Sequence, residues 1–341
     1  MAESNKMNWQ VLLGLRFIFV FFITCAQLRE FIENIDSDFV YNLRKFTAIG
    51  NVIALLLLSG YATANSIKNN PEGFYKRRFL RIYPLYFCAI VLSLLPFLIF
   101  GNKIETLHGK PIVPPNLVSI VEHLTLLQGL AFGTFTSNLP LWPLGILAPC
   151  YLLTPLLHRL SDRIIVFSIA ISGSLYVAVP FFYKLFYHKS LPYYPELGYE
   201  LPFFLFAWAW LLGFLYFRKQ NKKAGTIVLC SGFIMLILNQ SRTGFYALIL
   251  YLMACLGLIF VIFARQIKLP KAVGNTFEYL GNIAYPFYLL HKPTFIFAYK
   301  LLGVTNSVTH MFLALLVAIF FYHAVDLPLR SRNRLLATQG E

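Results

Sequence analysis

Apolar stretches of about 20 residues follow one another along almost the whole chain. At 1.5 Å rise per residue, that length crosses the hydrocarbon core of a bilayer as a helix. Inside a bilayer every backbone N–H and C=O must find a partner within the protein, which leaves helices as the natural solution for such stretches. Of the 341 residues, 58% are hydrophobic and 13% charged, too little polar surface for a water-soluble domain of this size. The expected class is therefore an all-α, polytopic membrane protein of about ten transmembrane helices, read as a single domain over 1–341. The helices are expected near 8–28, 46–66, 79–100, 139–158, 164–183, 201–217, 224–240, 243–264, 279–302 and 307–326. A further apolar segment, 115–132, is broken by Glu122, His123 and Gln128, and is expected to be re-entrant or to lie at the interface. Lys6 precedes the first apolar run, but that run contains Arg16 and lacks a small-residue cleavage site, so it reads as a retained helix.

The net charge of +15 is distributed unevenly. With the N-terminus placed in the cytoplasm, 18 of the 29 Lys and Arg residues fall in inside segments, eight outside, and Arg16, Lys292 and Lys300 within helices. Basic residues concentrate on the cytoplasmic side of membrane proteins, so both termini are expected there, in a cell membrane, with the loop 101–138 external. The charge then reflects topology and contact with anionic lipid; no nucleic-acid partner is expected.

Polar side chains at membrane depth are costly and mark candidate sites. Arg16 lies near the middle of the first helix. Gln27 follows eleven positions later, close to three full turns, so the two share a helix face about 16 Å apart along the axis. Either they line a cavity, or Arg16 ties helices together and Gln27 reaches the far headgroups. The run Lys76-Arg77-Arg78-Phe79-Leu80-Arg81-Ile82-Tyr83-Pro84 is the densest basic cluster, and Arg78 and Arg81 share a face. Forked guanidinium groups suit phosphate oxygens, as does a helix N-terminus; the alternative is a lipid-headgroup anchor. His291, alone within an apolar helix, is either a hydrogen-bond partner between helices or a base, and His123 beside Glu122 could face a cavity. His310 and His323 show no metal-ligand spacing, and no metal is expected. Ser59, in Leu58-Ser59-Gly60, fits close helix packing better than nucleophilic chemistry. The five cysteines all fall in apolar stretches without a C-x-x-C pair, and read as small buried residues.

Taken in series, these segments resemble the acyltransferase-3 family of membrane acyltransferases. Gly14-Leu15-Arg16-Phe17 resembles the opening motif of that family, and Leu58-Ser59-Gly60-Tyr61 its L-S-G-F/Y motif. Arg78 to Pro84 resembles R-x-x-R-I-x-P. Leu141-Trp142-Pro143-Leu144 and Tyr151-Leu152-Leu153-Thr154-Pro155 resemble W-S-L…Y-L-L-x-P. Residues 280–291, ending at His291, resemble L-G-x-x-S-Y-x-x-Y-L-x-H, and Asp326-Leu327-Pro328-Leu329-Arg330 resembles E-x-P-x-R.

The resemblance implies transfer of an acyl group, expected to be acetyl, from acyl-CoA to a hydroxyl of a surface glycan or lipid-linked sugar. It implies donor contacts at Arg78, Arg81, Ser59 and Tyr83, and chemistry around Arg16, Gln27 and His291. The family usually carries a histidine, taken as the catalytic base, where this chain has Gln27. An amide cannot accept a proton near neutral pH. A non-catalytic relative serving glycan export, as a scaffold or a translocator, is therefore the alternative. A small-solute transporter is less consistent, because the two halves of the chain show no internal repeat.

Overall fold

A computed structural model describes residues 2–46, 49–109, 111–128, 135–188, 202–219, 222–239, 244–263 and 269–330. Among these residues no strand forms, apart from an isolated antiparallel bridge between Ile104 and Ile112. The helices are α1 (Ala2–Ala26), α2 (Phe39–Asn42), α3 (Gly50–Asn69), α4 (Phe74–Phe100), α5 (Leu117–Leu124), α6 (Leu144–Arg159), α7 (Asp162–Tyr187), α8 (Pro202–Arg218), α9 (Lys222–Leu238), α10 (Phe245–Phe263), α11 (Lys271–Leu302) and α12 (Ser307–Phe321). A 3-10 turn, Gln27–Glu30, continues α1, and a π turn, Tyr322–Asp326, continues α12. Seven helical spans are long and apolar enough to cross a membrane; α8 and α9 are apolar but shorter, and α11 is long but carries more polar residues. The chain is an integral membrane protein.

Two helix pairs set the frame. The first is α1 with α11, packed side by side in the same direction. Gln10 donates to Glu278 at 3.0 Å, and Phe17 stacks on Phe287 with centroids 5.9 Å apart. Beyond them Phe31 meets the edge of Phe295. Gly281 lies against Leu13 so closely that a Cβ would sit 2.4 Å from the Leu13 Cβ. The second pair is α3 with α8. A Cβ on Gly60 would lie 1.9 Å from the Trp210 carbonyl oxygen, and one on Gly213 would lie 1.9 Å from that of Leu57. The two backbones touch through reciprocal glycines, a mode favoured where lipid supplies no hydrophobic drive between helices. Gly60, rather than Ser59, is the residue that makes this close approach.

Two boundaries differ from the expected ones. Helix α4 begins at Phe74, five residues before the expected start, because Gly73 takes the left-handed conformation (φ 61°) that turns the chain into it. Arg81 is therefore two turns inside the helix, beyond the reach of its N-terminal dipole, and the expected helix-end contribution to anion binding does not apply to it. Helix α11 begins at Lys271 rather than 279, since its first turns are amphipathic, with Gly274 turned towards Gln10 on α1.

The interrupted segment, described as far as Gln128, packs against α4. Its helix α5 descends along α4 until the Tyr83 hydroxyl donates to the Leu124 carbonyl at 3.0 Å. The chain then climbs back, Gln128 donating to the Tyr86 hydroxyl and to the Leu141 carbonyl. At the next level Asn138 donates to Ser93 and to the Leu289 carbonyl at 2.9 Å. Pro293 has no N–H for that carbonyl, so Asn138 supplies the missing donor. His123 does not face a cavity. It is fully buried, stacked on Phe135 at 4.1 Å, with Nδ1 donating to the Ser119 carbonyl. All five cysteines are free.

Gly60→Ala should cost upward of about 3 kcal/mol, because backbone meets backbone and no rotamer can yield. Loss of the monodisperse peak on size exclusion in detergent would show it.

Candidate active site

Six helices bring polar side chains together in one cluster. Arg16 comes from α1, Ser59 from α3, and Arg78 and Arg81 from α4. Tyr151 comes from α6 and Tyr285 and Asn282 from α11. Asp326 and Arg330 come from the π turn that ends α12 and the helical turn beyond it. The four guanidinium groups are close enough to repel one another: Arg16 feels Arg78 and Arg330, and Arg81 feels all three. Asp326 is the carboxylate among them, 3% exposed. It accepts from Arg330 Nε at 2.9 Å and pairs with the same group through its second oxygen, while Arg330 Nη1 donates to Asn282 at 2.8 Å. Among the described residues, one carboxylate stands against four arginines, an excess of positive charge.

Each guanidinium is held differently. Arg77 is spent on the loop before α4, donating to Asn70 and the Glu72 carbonyl. Arg78 lies over the rings of Phe74 (5.4 Å) and Tyr151 (5.1 Å). Ring contacts leave its N–H fork free, as hydrogen bonds to carboxylates would not. Arg81 lies among the other three, with part of its surface left uncovered by the protein. Arg16, Ser59, Tyr151, Asn282 and Tyr285 each keep partial exposure between the helices. Ser59 shares a 2.9 Å hydrogen bond with the Tyr151 hydroxyl, and Tyr285 donates to the Ile82 carbonyl at 2.9 Å. Tyr83 stands apart. It stacks between Phe79 and Phe87, and its hydroxyl is committed to the interrupted segment.

A family model described as "Acyltransferase domain" (Acyl_transf_3) matches residues 9–322. The chain belongs to the acyltransferase-3 family. It is also similar to "Putative acetyltransferase ORF330" of Acidianus two-tailed virus, 24% identical over 277 residues, covering 79% of this chain and 76% of the relative. No solved structure matches. Of the residues in this acyltransferase-3 chain that resemble family motifs, Arg16, Ser59, Arg78, Arg81, Tyr151, Tyr285, Asp326 and Arg330 come together, whereas Tyr83 and His291 lie outside the cluster.

The other expected site residues lie at the opposite end of α1 and α11. Gln27 opens the 3-10 turn, half-buried, with no hydrogen bond among the described residues. His291 is fully buried, packed near the rings of Phe287, Tyr288 and Phe295. Its Nδ1 donates to the Phe287 carbonyl, which fixes the tautomer and leaves Nε2 without a partner. Beside it Lys292, 2% exposed, pairs with Glu30 at 2.9 Å. Sequence reasoning missed this pair, although a lysine within an apolar helix is itself a signal that an acidic partner exists. Among the described residues no three His, Cys, Asp or Glu side chains gather as a metal site.

Asp326→Asn should destabilise this acyltransferase-3 protein by about 3–5 kcal/mol, because it leaves Arg330 beside three like charges. Adding Arg330→Gln should recover most of the loss, as read by thermal melting in detergent.

Proposed function

We propose that the protein is a membrane O-acyltransferase that moves an acetyl group from acetyl-CoA to a hydroxyl of a surface glycan or lipid-linked sugar. The observation that carries this reading is the convergence of four guanidinium groups with a single carboxylate at one end of a polar cleft. Such an excess of charge at membrane depth calls for a polyanion, and the phosphates of coenzyme A are a polyanion on a narrow arm.

The donor enters from the N-terminal side. A pocket of about 300 Å³ lies there, lined by Phe74, Lys76, Pro155, His158 and Arg159 among others, and shares Phe74 with the Arg78 contact. Arg78 and Arg81 hold phosphate oxygens, with Ser59 and Tyr151 beside them. The thioester reaches further in, where Arg16 stabilises the oxyanion that forms as the hydroxyl attacks. Gln27 lies about 16 Å beyond Arg16 along α1, on the side from which the acceptor arrives. Its amide can orient a sugar hydroxyl without taking its proton. His291 is enclosed by aromatic rings and serves α11 as an internal hydrogen-bond donor. The asymmetry of the basic residues supports a reading with both termini in the cytoplasm, ten spans in a cell membrane and one catalytic domain over 1–341.

Gln27 also favours a second reading, a non-catalytic relative that scaffolds or translocates glycans, since the usual imidazole is absent. Acetyl transfer separates the two. Membranes containing the protein should move labelled acetyl from acetyl-CoA to glycan, and mass spectrometry of surface glycans should lose an acetyl group when the gene is deleted. Absence of any acetyl difference favours the scaffold. Changing Arg78 and Arg81 together to Gln should weaken acetyl-CoA binding roughly ten- to a hundredfold while insertion continues. Unchanged affinity would leave these arginines only a lipid-anchoring role.

A further inference from the structure

Three of the four arginines have an uncharged neighbour in common. Tyr151 lies close enough to Arg16, Arg78 and Arg81 to act electrostatically on each. Its ring faces the Arg78 guanidinium at 5.1 Å, and its hydroxyl shares a 2.9 Å hydrogen bond with Ser59. The side chain therefore starts on α6, meets α4 with its face and is tied to α3 at its tip.

That tie leads to the closest helix contact in the bundle. Ser59 precedes Gly60, whose backbone lies against Trp210 on α8, and the Thr63 hydroxyl donates to the Ser59 carbonyl at 2.7 Å. Next to Tyr151 the Tyr75 hydroxyl donates to the Leu152 carbonyl at 2.9 Å, which joins the start of α4 to α6. A tyrosine ring held only at its Cβ can swing between rotamers; one anchored at its hydroxyl cannot. The plane of the Tyr151 ring is thus set by the α3–α8 frame.

Arg78 depends on that plane more than its neighbours do. Arg77 is held by Asn70 and the Glu72 carbonyl, and Arg330 by Asp326 and Asn282. Among the described residues Arg78 makes no hydrogen bond and rests on the rings of Phe74 and Tyr151. Phe74 stands one turn earlier on the same helix, so it moves with Arg78. Tyr151 is the ring that registers Arg78 against the other helices. A free arginine samples many rotamers, and a phosphate must fix one of them on binding. An aromatic face fixes the guanidinium beforehand and leaves its donors unoccupied.

We infer that Tyr151 is a positioning residue of the donor site: its ring holds the Arg78 fork aimed at a phosphate, and Ser59, by anchoring the Tyr151 hydroxyl, acts through Tyr151 rather than on the donor. The inference rests on the reading of Arg78 as a phosphate contact of coenzyme A.

Coenzyme A binding to purified protein in detergent tests this, with labelled acetyl transfer followed alongside in the wild type. The variants are Tyr151→Leu, Tyr151→Phe, Ser59→Ala and Tyr151→Phe with Ser59→Ala, each with and without Arg78→Gln. Tyr151→Leu should weaken binding about tenfold. Tyr151→Phe keeps the ring and should recover most of that loss, to about threefold weaker than wild type. Ser59→Ala should match Tyr151→Phe, and the two together should be no weaker than either alone, because they break the same hydrogen bond. With Arg78→Gln in place every one of these changes should shift affinity by less than about twofold, since the group they position is gone. A side chain that merely packs α6 against α3 would weaken binding by the same factor with or without Arg78, and that result overturns the assignment. So does a Tyr151→Leu protein that binds coenzyme A as the wild type does. Where Tyr151→Leu does not fold, Tyr151→Phe and Ser59→Ala decide: unchanged affinity, or a loss that persists with Arg78→Gln, overturns it equally. A wild type that binds no coenzyme A overturns the phosphate reading of Arg78 and this assignment with it. A wild type that binds coenzyme A but moves no acetyl overturns acetyl transfer alone, and the binding data still decide the role of Tyr151.

Discussion

Electrostatic repulsion among Arg16, Arg78, Arg81 and Arg330 is the constraint around which the bundle is arranged. Taking one charge out of water costs several kcal/mol even after relaxation, and four like charges add their mutual repulsion. Asp326 offsets part of this from within a π turn, a local widening of the helix that recurs at functional sites. The aromatic faces of Phe74 and Tyr151 attract the Arg78 cation without consuming its donors. The remainder of the imbalance is left to water and to whatever anion enters the cleft. The rigid contacts lie around it: reciprocal glycines join α3 to α8, and α1 lies directly against α11.

Much of this was legible in the sequence because a membrane makes polar residues conspicuous. Arg16, Arg78 and Arg81 stood out against apolar neighbours, and the structure brings them together. What periodicity could not provide was partnership across the chain. Nothing local in Asp326 or Asn282 says that both will hold Arg330. Helix ends were misplaced where they depend on one backbone conformation, as at Gly73, or where a polar first turn packs on a neighbour, as at Lys271. The change from α to 3-10 geometry after Ala26 alters which residues share a face, and a uniform helical wheel cannot anticipate it. The Glu30–Lys292 pair was hidden for the same reason: each residue was visible, but their meeting depends on α1 and α11 running side by side in the same direction.

The two polar regions differ in kind. The N-terminal cleft is an excess of one charge, built from side chains that are left partly exposed and short of counterions. The far end is nearly balanced, with one lysine and one glutamate matched and histidines buried against aromatic rings. An excess of charge attracts a charged ligand; a matched pair ties the end of α1 to α11.

The cleft is closed by residues from the two extremes of the sequence, Arg16 on α1 and Arg330 beyond α12. During synthesis at roughly 5–20 residues per second, Arg16 enters the membrane tens of seconds before Asp326 exists. Throughout that interval a guanidinium group must wait in an unfinished bundle, shielded by water, lipid phosphate or the insertion machinery. Biogenesis of this protein therefore has a late, decisive step, the docking of its last helix, and an arginine left stranded before that step is a mark by which membrane quality control could recognise chains that never finish.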